Sequence, residues 1–194
     1  GILGMLAALR HGSWVDTFVM GLSVSGLSIP TFWLGLLLIL FFSVKLKLFP
    51  SISSGSSFAA LFLPALTLGL PEAAVVARMV RASMLDVLNK DYIITARAKG
   101  LPERMVILKH ALRNALIPVV TFVGLQMAYL LGGATIVETM FARQGIGRLA
   151  VQSIFNRDYP MVQGVVLVTA TIYVLINTLT DITYVWLNPK IRLK

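Results

Sequence analysis

Residues Phe18–Val44 read FVMGLSVSGLSIPTFWLGLLLILFFSV, 27 positions without a charge. A helix that crosses a bilayer needs about 20 mostly apolar residues. This stretch is long enough, with Pro30 near its middle and Trp33 beside it. Three further stretches meet the same requirement. Phe58–Ala77 holds Pro64, Pro71 and, near its end, Glu72; Val119–Val137 is uncharged; Met161–Leu187 carries only Asp181. In lipid, neighbouring helices and Ser/Thr hydroxyls satisfy the carbonyls that proline frees. Pro64 and Pro71 still predict a kink. The expected fold class is all-α, a polytopic transmembrane helix bundle of four complete spans.

The composition agrees. The chain has 194 residues, 57% hydrophobic and 13% charged, with a mean hydropathy of +0.85. Soluble domains carry roughly 25% charged residues. A net charge of +9 points to nucleic acid only if the basic residues form a binding surface, and here they flank apolar runs instead. Membrane placement is therefore expected, and no nucleic-acid partner. With no cysteine, disulfides, Cys-based zinc sites and thiol catalysis are excluded. His11 and His110 stand 99 residues apart with no carboxylate pair at metal-ligand spacing, so no metal site is expected. Neither a nucleophile–base pair nor a Gly-x-x-x-x-Gly-Lys-Ser/Thr phosphate loop occurs. The expectation is a chain with no catalytic residues that neither binds nor hydrolyses ATP. Gly1–Leu9 is apolar, too short to span and lacks a basic segment before it, which excludes a signal peptide. It is expected to be the tail of a truncated helix in a single domain, residues 1–194, that lacks its N-terminal part.

Lys/Arg counting sets the orientation. Arg10, the eight basic residues from Arg78 to Arg113, and Lys190, Arg192 and Lys194 make twelve on one side. Lys45, Lys47, Arg143, Arg148 and Arg157 make five on the other, partly offset by Glu138 and Asp158. The first side is the expected cytoplasmic one. That assigns a cytoplasmic loop to residues 84–118, an external loop to 138–160, and an external polar hairpin to Ser51–Ser57.

The cytoplasmic loop is the unusual segment. Asp91 is suited to cap a short helix over Tyr92–Lys99, with Gly100 as its stop. Pro102 and Glu103 favour the start of a second helix reaching about Ala115. A compact basic pair with apolar Ile93, Ile94, Ala98, Val106 and Ile107 fits docking to a partner protein. The same features fit adsorption to anionic lipid or an ordinary topogenic loop, and the residues alone leave all three open.

The run Asp91-Tyr-Ile-Ile-Thr-Ala-Arg-Ala-Lys-Gly100-Leu-Pro-Glu-Arg resembles the coupling loop of ABC-importer permeases, specifically the dipeptide, oligopeptide and nickel permease family. Ala77-Arg-Met-Val-Arg-Ala-Ser-Met84 before it and Ala111-Leu-Arg-Asn-Ala-Leu-Ile-Pro118 after it are similar as well. So are Leu27–Gly35, Gly132–Thr139, Arg157–Pro160 and Asn188–Arg192, in order along nearly the whole chain. The general importer signature has Glu-Ala-Ala here; Ile94 and Thr95 replace its first two positions, while Ala96 and Gly100 match. The missing Glu removes any salt bridge it would make.

The resemblance implies a type I ABC-importer permease-like fold with a cytoplasmic coupling helix, in a prokaryotic cytoplasmic (inner) membrane, crossing it several times. It implies that Asp91, Tyr92, Thr95, Ala96, Arg97, Ala98, Lys99 and Gly100 couple to an ABC ATPase. It also implies a second permease subunit and an extracytoplasmic substrate-binding protein. No cofactor is implied for this chain, since the partner ATPase would hold ATP and Mg. Short peptides are the expected cargo, with nickel or another small solute as the alternative. An ion-coupled secondary transporter would carry coupling charges near the bilayer midplane, and the spans offer almost none. A non-transporting scaffold that recruits a soluble partner is the remaining reading.

Other residues carry open alternatives. Gly145-Ile-Gly147 followed by Arg148–Phe155 predicts a turn and a short amphipathic helix, either near the mouth that receives the binding protein or a solvated connector. Asn177 and Asp181 share one helix face, for packing or for function. Gln126 and Gln163 line a pathway or bond between helices. Glu72 pairs with Arg78 or Arg81, or lies at an inner gate. Gly124, Gly132 and Gly133 are expected to allow close helix packing.

Overall fold

The computed structural model describes residues 1–52, 55 and 57–187, without the side chains of 128, 129, 131–133 and 184–187. The expectations for Gly132, Gly133, Lys190, Arg192, Lys194 and the Asn188–Arg192 stretch lie outside these descriptions, as does part of the Ser51–Ser57 hairpin. Among the described residues every regular element is helical: α1 (Ile2–Leu9), α2 (Trp14–Ser28), α3 (Thr31–Leu38), α4 (Phe58–Leu88), α5 (Asp91–Ala98), α6 (Glu103–Met105), α7 (Leu112–Met140), α8 (Ile146–Phe155) and α9 (Tyr159–Leu187). Wider π-type turns extend α3 over Ile39–Lys45 and join α6 to α7 over Val106–Ala111.

Among the described residues, three helices are long and apolar enough to cross a bilayer, Phe58–Leu88, Glu103–Met127 and Tyr159–Thr183. A fourth span exists if Trp14–Ser28 and Thr31–Lys45 count together. The expected continuous span over Phe18–Val44 is thus broken. Pro30 has no N–H to donate and takes φ −58° and ψ 136°, an extended conformation that ends α2. Its carbonyl then accepts the Leu34 N–H at 3.0 Å, opening α3. Lipid tolerates proline, but at this position the helix does not absorb it.

Two more boundaries differ from expectation. Helix α4 continues to Leu88, eleven residues past the expected end at Ala77. The second loop helix does not stop near Ala115 but runs through the π-turn into α7. Charge marks where a helix can leave lipid; it does not interrupt i→i+4 hydrogen bonding.

The chain divides into two compact units. Unit 1 comprises Gly1–Leu27, Ala73–Gly124 and Thr180–Lys194. Its core is Ala8, Val80, Met84, Ile93, Ala96, Val106, Ala111, Ala115 and Val119. Four of the nine are alanines, the small residues that let helices approach where lipid offers no hydrophobic drive. Gly4 carries this furthest, since a Cβ there would lie 2.1 Å from the Ala77 carbonyl oxygen of α4. At Gly124 a Cβ would lie 2.1 Å from Thr180 Cγ2, so α7 and α9 touch there.

Unit 2 comprises Ser28–Glu72 and Leu125–Leu179. Leu38, Leu63, Val137 and Phe141 form its core, bordered by Phe49 stacked on Phe62 at 4.4 Å between ring centroids. Thr67, fully buried, returns its hydroxyl to the Leu63 carbonyl at 2.8 Å. Along α9, Val166, Leu167, Val174, Leu175, Leu179 and Ile182 are all more than half exposed, a surface suited to lipid.

Candidate functional site

Helix α4 ends at Leu88, where the Asn89 amide caps it by donating to the Leu85 carbonyl at 3.0 Å. Lys90 then turns the chain with φ −81° and ψ 145°. This makes Lys90 the capping residue of α5, and Asp91 its first helical residue. No side-chain cap bond is made there, so the expected capping role of Asp91 is corrected. The Asp91 carboxylate sits instead in the first turn, where the helix dipole favours it.

Helix α5 closes with a Schellman motif. The Gly100 N–H reaches the Arg97 carbonyl at 2.9 Å and the Leu101 N–H reaches the Ala96 carbonyl at 3.4 Å. Gly100 adopts φ +74°, the left-handed conformation expected of this stop. Pro102 follows with ψ 138° and caps α6. Across the turn Arg97 grips Glu103 through two bonds, Nε to Oε2 at 3.1 Å and a terminal nitrogen to Oε1 at 2.7 Å. That bond keeps the Arg97 guanidinium charged well beyond ordinary pH. Both side chains are about half exposed, so the bridge orients the turn more than it stabilises it.

The eight sequence-derived site residues separate by face. Ile93 and Ala96 are buried in the core of unit 1, together with Val106. Ala96 therefore lies on the core side of α5, and Ile93 and Val106, expected among the apolar positions of a docking pair, are core residues instead. Asp91, Tyr92, Thr95, Arg97, Ala98, Lys99 and Gly100 are exposed, as is Ile94 among them. Tyr92 is anchored as well as exposed; its hydroxyl bonds to Asn114, while partial burial dominates and raises its pKa. Helix α5 thus presents a short mixed face of one aromatic, one aliphatic and two basic side chains.

A second cluster lies in unit 1, between α2 and α4. Asp16 is 4% exposed and accepts two bonds from Arg81, at 2.5 and 2.7 Å. Its Oδ2 also contacts His11 Nδ1 and the Gly12 N–H, each at 3.1 Å. In unit 2, Gln126 donates to Glu72 at 2.7 Å. Glu72 therefore partners neither Arg78 nor Arg81. Also in unit 2, Glu138 accepts the Arg148 N–H at 3.0 Å in the first turn of α8, and Gly145 leaves space for that carboxylate.

Against this geometry, the sequence matches the model of one family over residues 1–193, described as "Binding-protein-dependent transport system inner membrane component". The chain belongs to that family. As an inner-membrane, multi-pass permease component it belongs to a class of transport subunits without a catalytic site of their own. It is 50% identical over 192 residues to the "Glutathione transport system permease protein GsiC" of Pectobacterium atrosepticum, covering 99% of this chain and 62% of that protein. The protein of the same name from Escherichia coli strain K12 is 49% identical over 191 residues, 98% of this chain and 62% of the relative. The chain thus spans 62% of the length of these curated relatives.

Sequence reasoning missed one major feature of this permease component, the Asp16–Arg81 pair. The partners are 65 residues apart, and only the fold brings them together. Ser13-x-x-Asp16 at the start of an apolar run was the available signal. It is read as a helix start, and Ser13 Oγ does accept the Asp16 N–H at 3.4 Å.

Proposed function

We propose that this permease component forms part of the translocation pathway of an ATP-driven, binding-protein-dependent importer for short peptides, with a glutathione-like tripeptide as the favoured cargo. The observation that carries the reading is 50% identity, over 99% of this chain, to a protein named as a glutathione permease. In this reading a separate ABC ATPase binds ATP and Mg, a second permease completes the pathway, and an extracytoplasmic protein delivers the cargo. The exposed face of α5 is the surface we assign to the ATPase. Tyr92, Ile94, Thr95, Arg97, Ala98 and Lys99 supply its contacts, Asp91 and Gly100 bound the helix, and Ala96 supports it from the core side.

The test is reconstitution of the full-length protein with its ATPase, second permease and binding protein in liposomes. Labelled glutathione should accumulate only with ATP. Ile94→Asp should leave the permease in the membrane but cut both ATPase recovery and uptake at least tenfold. Uptake without ATP, or wild-type coupling in Ile94→Asp, would count against the cargo mechanism and the docking face respectively.

A further inference from the structure

Glu72 lies fourteen residues after the start of α4 and sixteen before its end, and Gln126 lies fourteen from either end of α7. Six residues, about 9 Å of helix, separate Glu72 from Arg78, so the carboxylate lies inside the apolar stretch Phe58–Ala77 toward its cytoplasmic end, and Gln126 lies inside the uncharged stretch Val119–Val137. The two side chains meet at 2.7 Å, and both are half-buried, so the pair is not sealed. The only partner this contact gives the carboxylate is a neutral amide, held on Oε2. Among the described residues no Lys, Arg or His lies within ion-pair distance of Glu72. Nor is there a group of three His, Asp or Glu able to hold a metal ion.

A carboxylate inside an apolar span is costly unless a cation meets it. One carboxylate and one amide are too few oxygen ligands for a divalent metal. An ammonium group asks only for hydrogen-bond acceptors at short range. We infer that the Glu72–Gln126 pair is a subsite for the α-ammonium group of a peptide in transit, with Glu72 Oε1 as acceptor. The inference rests on the importer reading above and names the chemical group of the cargo that the permease itself recognises. It gives Gln126 a positioning role, fixing the carboxylate plane by holding Oε2.

Glu72→Gln keeps side-chain size and an acceptor for Gln126 while removing the charge. In the reconstituted importer this variant should assemble normally and hydrolyse ATP at the wild-type rate without cargo. Its uptake of a tripeptide with a free amine should fall at least tenfold, and Glu72→Asp should recover a third or more of the loss. Wild-type uptake in Glu72→Gln would overturn the inference. So would ATP hydrolysis falling in parallel with uptake, loss of the assembled complex, or an Asp variant as impaired as the Gln one. Absence of ATP-driven uptake in the wild-type protein would refute the importer reading instead, so the two failures are distinct.

Discussion

A Cβ built at Gly100 meets no atom within 4 Å, yet the backbone there has φ +74°. What a side chain costs at this turn is conformation, not space. Left-handed backbone costs a non-glycine residue about 1–2 kcal/mol, least for Asn. Gly100→Ala should therefore loosen the end of α5 by about 1 kcal/mol, and Gly100→Asn by less. Amide hydrogen exchange over residues 91–101 reads this directly, and equal protection in all three proteins would refute it. Asp16 and Arg81 set a larger effect at the same scale. Removing Arg81 leaves Asp16 with only His11 and the Gly12 N–H against its charge, at a cost below the roughly 3–5 kcal/mol of a fully buried broken pair. Arg81→Leu should lower the thermal midpoint in detergent sharply, and adding Asp16→Asn should restore most of the loss. A double variant as unstable as Arg81→Leu would show that packing, not charge, holds α2 to α4.

Among the elements, α8 is clamped at its first turn, where the Arg148 guanidinium also donates to the Ala142 carbonyl. Its first turn is held by the Glu138 carboxylate, and a Cβ at Gly145 would lie 2.1 Å from Glu138 Cδ. Gly145→Ala should displace the carboxylate and cost about 1.5–3 kcal/mol, the worth of a hydrogen bond to a charged group. Limited proteolysis after Arg143 or Arg148 should accelerate, and an unchanged cleavage rate would dismiss the clamp. This helix was legible beforehand, because Gly145-Ile-Gly147 punctuates the chain and Arg148–Phe155 keeps helical apolar spacing. So were the two helices on either side of Gly100, through Pro102 and the glycine itself. The break at Pro30 was not, since 27 uncharged residues look alike whether or not the backbone turns within them. Nor was the true length of α4. Arg78 and Arg81 read as the end of the membrane segment, but Arg81 is charge-matched by Asp16, and nothing local in the sequence records that match.

For the whole molecule the Lys/Arg distribution makes the widest claim, twelve basic residues against five. The count assigns the α5 segment to the cytoplasmic side and the α8 segment to the external side, an assignment that labelling tests. The chain has no cysteine, and introduced ones therefore report without background. Thr95→Cys should react with an impermeant maleimide only in inside-out vesicles, and Gln152→Cys only in right-side-out ones. Both positions are exposed. Labelling of both from the same face would overturn the topology. The site was legible to different degrees at this scale. The α5 segment stood out by its residues, whereas the inward turn of Ile93 and Ala96 depends on α1, α4 and α7 packing around them.

The Asp16–Arg81 pair also has a timetable. Ribosomes add about 5–20 residues per second, and the two partners are 65 residues apart. Asp16 is thus made roughly 3–13 s before the arginine that neutralises it, while the apolar run that follows it is already emerging. During that interval the acid at the start of α2 has neighbouring His11 and the Gly12 N–H but not the arginine that holds both its oxygens. Synthesis of α4 supplies that arginine, so the hydrogen bonding at the start of α2 is completed by a neighbouring helix and not by its own sequence.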